Sequence, residues 1–269
     1  MGCQISIIMP AYNGAKWIKA AIDSVLAQSF KDFELIVIND SSKDNTEEIL
    51  RTYRDSRIKY FKNEKNLGVQ KTRNIALSIA SGKFIAEIDQ DDEWIDEDKL
   101  IKQLIFLIEN KNYVLIGTGA VMVDEKGNEL ARYLMPAKDE QIRSKIMRAN
   151  PFIHSSVMFR AVDVKRIGGY DVDKMSEDQD LWLRLGKLGM FMNFQDYSVK
   201  YLYRTAGYNS QEKSKRIIQN IMLAYEHRNN YPGCFVAILF GLVKLAIYPL
   251  FNLMPLRLKG ALLNLHKKI

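Results

Sequence analysis

Three acidic side chains follow directly after a short apolar run in residues 84–92. The run has the length and character of a buried parallel strand, and Asp89, Asp91 and Asp92 come at its carboxyl end. In an open α/β sheet, ligands bind in the crevice beyond that end. Carboxylates one residue apart can converge on a divalent cation and a sugar hydroxyl. The same acids could instead form a solvated loop that caps the next helix.

Two further loops carry side chains that suit the same ligand. Pro10-Ala11-Tyr12-Asn13 and Asn39-Asp40-Ser41 follow the first two predicted strands, and in a parallel sheet they leave the same edge as Asp89-Gln90-Asp91. Tyr12 can flank a nucleobase, and Asp40 can accept a hydrogen bond from a base N–H or a ribose hydroxyl. Taken singly, each of these residues is better explained by an ordinary role, Tyr12 as a core aromatic and Asp40 as a helix cap.

Basic and acidic side chains on predicted helices complete the set. Arg73, in the helix after Asn66-Leu67-Gly68, can face a phosphate or the base, although a solvated charge is the ordinary reading of such a residue. His154 is a candidate for metal or pyrophosphate contact, with a core histidine as the alternative. Arg204, beside the polar residues 205–215, could close over a diphosphate.

The elements that must hold these residues alternate between strand and helix. Strands are predicted at 5–9, 33–38, 57–61 and 84–88, and helices at 15–28 and 69–80. This alternation indicates an α/β fold with a mostly parallel sheet and helices on both faces. Further along, a turn at 125–128 predicts a hairpin, and strands are expected at 154–159, 190–194 and 199–203.

Composition narrows the class of protein. The 269 residues are enough for one large α/β domain with an extension, and the net charge of +7 favours an anionic partner. Two distant cysteines exclude a disulfide framework, and the start of the chain lacks the pattern of a secretion signal, so we expect a cytosolic protein. Neither a dinucleotide fingerprint nor a phosphate loop is present, and no nucleic-acid-binding motif accompanies the charge.

The C-terminal region differs from the rest of the chain. Residues 235–254 are almost entirely apolar apart from Lys244, and Arg257, Lys259, Lys267 and Lys268 follow. The lysine and Pro249 weaken the case for a membrane span. We favour a helix or helical hairpin in the cytoplasmic interface of a membrane, with a buried helix or a dimer interface in a homo-oligomer as alternatives.

The motifs taken together resemble a known family. These stretches match in order over residues 5–203: Pro10-Ala11-Tyr12-Asn13, Glu34-Leu35-Ile36-Val37-Ile38-Asn39-Asp40-Ser41-Ser42, Asn66-Leu67-Gly68 with Arg73-Asn74, Asp89-Gln90-Asp91-Asp92-Glu93-Trp94, and Glu177-Asp178-Gln179-Asp180-Leu181-Trp182. The set resembles the family 2 inverting glycosyltransferases of GT-A fold. The sequence departs from the family pattern in having a serine where a glycine is usual in Asn39-Asp40-Ser41-Ser42, and Gln90 fills the variable position.

The resemblance implies a nucleotide-sugar donor, usually a uridine or thymidine diphosphate sugar. It implies that Tyr12, Asp40 and Arg73 bind the nucleoside, that Asp89 lies on the ribose side, and that Asp91 meets Mg²⁺ or Mn²⁺. Asp178 then matches the catalytic base.

The position of the candidate base at the start of a predicted helix affects its expected pKa. Glu177 and Asp178 begin a predicted helix, where acids are favoured in any case, and the helix dipole tends to lower a carboxyl pKa, although two adjacent acids could offset this. Inversion by single displacement needs a base for the acceptor hydroxyl, a role for Asp178, with Glu177 orienting or contacting the acceptor.

We therefore expect a glycosyltransferase domain at residues 1–210, with a nucleotide-binding half (1–93) and an acceptor half (94–210), and a membrane-associated extension at 211–269. The expected reaction transfers a sugar to a saccharide or lipid-linked saccharide during cell-surface polysaccharide assembly. A catalytically silent nucleotide-sugar-binding scaffold and a nucleotidyltransferase are the alternatives. The former would lack the metal acid or the base, and the latter would carry a glycine-rich phosphate loop after its first strand.

Overall fold

The computed structural model describes residues 3–204 and 210–253. The chain divides into two compact units, Met1–Thr205 and Ala206–Ile269. This division lies slightly before the boundary expected after residue 210.

The first half of the sheet is parallel. Its strands are β1 (Ile5–Ala11), β2 (Phe33–Asn39), β3 (Ile58–Lys62) and β4 (Phe84–Glu87), in the spatial order β3-β2-β1-β4. The connecting helices are α1 (Ile18–Leu26), α2 (Thr46–Leu50) and α3 (Val69–Ile79). Residues of β2 and β4 are buried throughout, which explains why they read as continuous apolar runs. This half matches the predicted alternation.

Strand register brings the expected site loops to one edge. Ala11 pairs with Asn39, and Ile8 pairs with Glu87. The residues that follow β1, β2 and β4 therefore leave the sheet on the same side, as parallel pairing requires.

The second half of the sheet is mixed. Its strands are β5 (Glu93–Trp94), β6 (Tyr113–Val123), β7 (Glu129–Tyr133), β8 (Met158–Arg160) and β9 (Met190–Leu202). The helices here are α4 (Lys99–Glu109), α5 (Asp139–Lys145), α6 (Ala161–Arg166) and α7 (Glu177–Leu185). Strand β8 runs antiparallel to both β4 and β6 and so joins the halves, whereas β9 is parallel to β6. The predicted hairpin is formed by β6 and β7.

Two sequence expectations in this half were wrong. The strands expected at 190–194 and 199–203 are one continuous strand, β9, because its register against β6 shifts around Gly119 and accommodates the polar residues between. The strand expected from His154 begins only at Met158, because His154–Ser156 form a 3₁₀ turn.

The second unit contains helices α8 (Ser210–Glu226) and α9 (Cys234–Leu253), which pack against each other. A β-carbon at Gly241 would lie 2.4 Å from Ile221 Cγ1, so the helices approach closely there. The exposed apolar side chains of α9 include Phe235, Val236, Leu239, Phe240, Leu242, Val243 and Ile247. Within residues 3–204 and 210–253, no helix has both the length and the apolar character needed to cross a membrane. The basic residues 257–268 lie outside the described residues.

Ser41 has a backbone conformation that favours glycine. Its φ is 63°, in the left-handed region, and it occupies the position where the family resemblance leads one to expect glycine. A side chain in this region costs about 1–2 kcal/mol. The departure noted in the sequence is therefore a strained residue at the rim of the sheet.

We predict that Ser41→Gly stabilises the fold. Relief of left-handed strain exceeds the added entropy of glycine in the unfolded chain, so a net gain of about 1 kcal/mol is expected. Thermal unfolding should report this as a rise in Tm of roughly 2–4 °C.

Ser42→Gly is the matched control. Ser42 has no left-handed φ, and its Oγ accepts a hydrogen bond from the Asn13 N–H at 3.0 Å. This variant should lower the Tm. An equal decrease in both variants would contradict the assignment of strain to Ser41.

Candidate active site

Side-chain-to-backbone hydrogen bonds connect the loops that follow β1 and β2. Asn13, with a left-handed φ of 50°, donates its backbone N–H to Ser42 Oγ, and its Oδ1 accepts from the Lys43 N–H at 2.8 Å. Gly14 donates to Thr46 Oγ1 at 2.8 Å. These hydrogen bonds therefore fix the conformation of the two loops at this rim of the crevice.

Gln90 fixes the position of the acidic loop. Its side-chain Oε1 accepts from the Tyr12 N–H, and its Nε2 donates to the Tyr12 carbonyl, both at 2.9 Å. A β-carbon at Gly14 would lie 2.1 Å from Gln90 Oε1, so the amide needs a glycine there. Gln90 thus aligns two loops, while the ring of Tyr12 remains 41% exposed at the crevice.

Pro10 and Ala11 contribute through the backbone. Both belong to β1, Ala11 is buried, and its carbonyl accepts from the Asp40 N–H at 2.7 Å. In the predicted site, Pro10 and Ala11 form the end of the strand that positions Tyr12.

Asp40 organises the loop before α3. Its carboxylate is 3% exposed and accepts from Asn63 Nδ2 at 2.7 Å and from the Leu67 and Gly68 N–H groups at 2.9 Å. Both carboxylate oxygens therefore already have donors within the protein. The predicted contact of Asp40 with a nucleoside stays a prediction.

Asp91 lies at the rim beside a cationic side chain. Its carboxyl group is 13% exposed, and Oδ2 lies 2.7 Å from Arg204 Nη2, while the Arg204 guanidinium lies 5.0 Å from the Trp17 ring centroid. Burial and the charge of Asp89 raise the Asp91 pKa. A carboxylate in this setting favours a positive partner, which suits the expected metal position.

Arg73 is buried among acids rather than directed at the crevice. It is 5% exposed, and its Nη2 lies 2.6 Å from Asp89 Oδ1 while its Nη1 lies 3.3 Å from Glu177 Oε1. Despite burial, the charge of Arg73 holds the Asp89 pKa below its ordinary value. In the structure Arg73 bridges the acidic loop and the start of α7, and its predicted contact with a phosphate or base stays a prediction.

His154 lies beside this bridge in a neutral form. Its Nδ1 lies 3.5 Å from Arg73 Nη2 and 3.7 Å from Asp89 Oδ2, and its Nε2 lies 3.0 Å from the Tyr170 hydroxyl. Burial and the charge of Arg73 lower the His154 pKa to about 3. Both ring nitrogens face protein groups, so a metal ion at Nδ1 would compete with Arg73. The metal role of His154 stays a prediction.

The Tyr170 hydroxyl continues the network by donating to Glu87 Oε1 at 3.1 Å. Burial raises the Glu87 pKa to about 8, so this carboxyl is largely protonated at neutral pH. Sequence reasoning missed both residues, because Glu87 lies inside an apolar strand and Tyr170 lies in an apparent loop.

Asp92 serves the structure of the loop. It is buried, its Oδ1 accepts from the Leu202 N–H at 2.9 Å, and its Oδ2 accepts from Ser155 Oγ. Ser155 Oγ in turn accepts from the Asp89 N–H at 3.0 Å. Asp92 thus holds this loop against β9 and the 3₁₀ turn, and Ser155 connects it to Asp89.

Asp178 stands in the first turn of α7 with two hydrogen-bond donors. Its Oδ1 accepts from the Gln179 N–H at 2.7 Å, and its Oδ2 accepts from Asn150 Nδ2 at 2.5 Å. Burial raises the Asp178 pKa, with Arg73 acting in the opposite direction. The Asp178 pKa is therefore raised, whereas its position at the start of a helix alone would predict a lowered pKa.

The arrangement connects the acidic loop that carries Asp91 to the start of the helix that carries the candidate base, Asp178. Arg73 joins the loop of Asp89 to Glu177, and Asp178 is the next residue. A partly buried carboxylate with a raised pKa can accept a proton from a bound hydroxyl, and Asp91 can hold a hard cation.

Known proteins share this sequence and fold. Residues 6–168 match the family model "Glycosyl transferase family 2". The protein EpsE of Bacillus subtilis is 33% identical over 235 residues, covering 84% of this chain and 82% of EpsE. Escherichia coli WfgD, named as a UDP-Glc:α-D-GlcNAc-diphosphoundecaprenol β-1,3-glucosyltransferase, is 42% identical over 124 residues, covering 44% of this chain and 49% of WfgD.

Solved structures agree on the fold. S. aureus TarS 1–349 in complex with UDP-GlcNAc superposes with a TM-score of 0.67 at 21% identity, covering 85% of this chain and 67% of that one. The mannosyltransferase PcManGT from Pyrobaculum calidifontis, in complex with GDP-Man and Mn²⁺, has a TM-score of 0.67 at 19% identity, covering 91% and 70%. The chain therefore belongs to glycosyltransferase family 2, with the GT-A fold that its motifs predicted.

Proposed function

We propose that this glycosyltransferase moves a sugar, with inversion, from a nucleoside-diphosphate sugar to a hydroxyl of a saccharide or lipid-linked saccharide. The observation that carries the proposal is the Arg73 bridge, which holds Asp89 and Glu177 together and so sets the expected donor acids beside the expected base. TarS is known in complex with UDP-GlcNAc, and the name of WfgD describes a UDP-Glc donor and a diphosphoundecaprenol-linked acceptor. A UDP- or dTDP-linked donor and a role in cell-surface polysaccharide assembly fit both.

The proposed chemistry is a single displacement. The acceptor oxygen attacks the anomeric carbon, the bond from that carbon to the diphosphate oxygen breaks, and Asp178 takes the acceptor proton. Burial raises the pKa of Asp178, which makes its carboxylate a stronger base than that of an exposed aspartate. Glu177 is held by Arg73, so its role is to support the start of α7 and the acceptor side of the crevice.

Asp91 is the residue proposed to hold Mg²⁺ or Mn²⁺. A carboxylate oxygen suits either ion, and its present counter-ion is the exposed side chain of Arg204. An ion bound there would neutralise charge on the departing diphosphate. The Arg204 guanidinium would then be free to contact a phosphate from the same side.

The second unit is proposed to lie on the cytoplasmic face of a membrane. Helix α9 carries Phe235 and Phe240 exposed on its surface, in a 20-residue element. Exposed aromatic and aliphatic side chains on one helix suit insertion into the interfacial region, and the acceptor class proposed above is itself membrane-bound.

We predict that Asp178→Asn reduces kcat by about 10²–10⁴-fold, because the amide cannot accept the acceptor proton. Sugar transfer should be measured with donor binding checked in parallel by UDP titration, which should be unchanged. Glu177→Gln removes a carboxylate from the same turn without removing the base, and a smaller loss is expected. Transfer within a few-fold of wild type in Asp178→Asn would exclude Asp178 as the base.

Metal binding is tested without turnover. UDP with Mn²⁺ should raise the Tm of the full chain by more than UDP alone, since saturation at 100-fold above Kd stabilises by about 2.7 kcal/mol. In Asp91→Asn the Mn²⁺-dependent part of this rise should disappear. Persistence of the full rise would place the metal elsewhere.

The variant Arg204→Gln provides a second test of metal binding at Asp91. The Asp91 carboxylate loses its counter-ion, so Mn²⁺ alone should bind more tightly than to wild type in calorimetric titration. Lys200→Gln is the matched control, because the Lys200 amine pairs with Glu93 at 2.8 Å nearby. Equal Mn²⁺ affinity in wild type and Arg204→Gln would contradict competition at Asp91.

Membrane docking is tested by vesicle sedimentation of the full chain. We expect more binding to vesicles with anionic lipid than to zwitterionic ones, and binding weaker by roughly 10- to 150-fold for Phe240→Ser, given about 1.5–3 kcal/mol for a buried aromatic side chain. Val162→Ser, which changes an exposed apolar residue of the first unit, should bind as wild type. Absence of vesicle binding by the wild type would contradict the membrane role.

A further inference from the structure

The hydrogen bond between Asn150 and Asp178 links the proposed base to a loop that the sequence did not single out. Asn150 Nδ2 lies 2.5 Å from Asp178 Oδ2, and Asn150 Oδ1 accepts from the Phe152 N–H at 3.1 Å. The second bond fixes which way the amide points. A flipped amide would set oxygen against the carboxylate and N–H against N–H, so the donor must face Asp178.

Packing fixes the loop that carries Asn150. The Pro151 carbonyl accepts from Asn193 Nδ2 at 3.1 Å, and the buried Phe152 ring lies 5.8 Å from the Trp182 ring and 5.4 Å from the Phe191 ring. Trp182 lies on α7, one turn after Asp178. The helix that carries the carboxylate therefore also anchors the loop that carries its donor.

The electrostatic surroundings of Asp178 explain why a neutral donor matters. Asp178 is buried next to Glu177, and the charge of Asp89 also opposes its ionisation. An amide N–H stabilises the carboxylate without cancelling its charge, whereas a direct ion pair would make it a poorer base.

We propose that Asn150 is a positioning residue for the transfer reaction, holding Asp178 in one orientation and in the ionised form needed to accept the acceptor proton. The inference rests on the proposed function, in which Asp178 is the base. Asn150 itself touches neither proton donor nor sugar in this role; it acts through the carboxylate.

The test is the pH profile of kcat/KM for the full chain, with saturating metal and varied acceptor. Activity requires ionised Asp178, so it falls as pH drops through the Asp178 pKa. In Asn150→Ala the carboxylate loses a donor to its charged form, and the acid limb should move up by about one pH unit. In Asn150→Asp the shape is kept while a like charge replaces the donor, and the limb should move further.

A structural role alone would give a different result. Both variants would then lower the Tm, measured in parallel, but leave the acid limb where it is in wild type. The matched control is Asn110→Ala, which removes an amide bonded to the Phe106 carbonyl at 2.9 Å at the end of α4. Its pH profile should equal that of wild type.

The outcomes separate this inference from the proposed function. If Asp178→Asn abolishes transfer and both Asn150 variants keep the wild-type acid limb, the positioning role is overturned while the base assignment stands. If Asp178→Asn is active, the base assignment fails, and the inference fails with it. UDP affinity should be unchanged in both Asn150 variants, and a loss equal to the loss in kcat/KM would assign Asn150 to donor binding instead.

Discussion

A buried guanidinium holds the two halves of the site together. Arg73 reaches Asp89 on the loop after β4 and Glu177 at the start of α7, residues 88 positions apart in the chain. Burying a charge is tolerated only when opposite charges and hydrogen bonds surround it. Arg73 in turn stabilises the close approach of Asp89 and Glu177, since the two acids would otherwise repel each other in the protein interior. The position of α7, and with it the candidate base, thus depends on this ion bridge.

The titratable groups around the Arg73 bridge are largely neutral, so they add no charge to it. Glu87, with a pKa near 8, and His154, with a pKa near 3, are both largely uncharged at neutral pH, and Tyr170 connects them. Tyr170 is positioned by two 2.8 Å hydrogen bonds exchanged with Asn74, the residue after Arg73. Among the described residues, the short ion pairs of Arg73 are therefore those with Asp89 and Glu177, so its buried charge is paired.

Sequence predicted the half of the fold whose signal is local. Strands β1, β2 and β4 are apolar runs ended by polar loops. Their positions in the chain, and the shared edge of the loops that carry Tyr12, Asp40 and Asp91, therefore followed from periodicity and parallel pairing. The second half resisted prediction because β9 keeps its pairing across polar residues through register shifts.

The contacts between site side chains could not be predicted from the sequence for a related reason. The acids and Arg73 could be identified as site candidates, yet charge and spacing do not say whether an arginine faces a ligand or an acid from a distant helix. The contact between Arg73 and Glu177 spans 104 positions, and that between Asn150 and Asp178 spans 28, so only the folded chain brings them together.

The acids at the rim differ in how easily they can exchange their partners. Asp89 is paired with a buried arginine, and separating them would leave an unpaired charge in the interior at a cost of about 3–5 kcal/mol. Asp91 is paired with Arg204, which is 43% exposed, so water can solvate the guanidinium when this pair separates. Separating Arg204 from Asp91 therefore costs less than separating Arg73 from Asp89. On this difference in burial, Asp91 is the acid whose partner can be exchanged, while Asp89 keeps the framework in place.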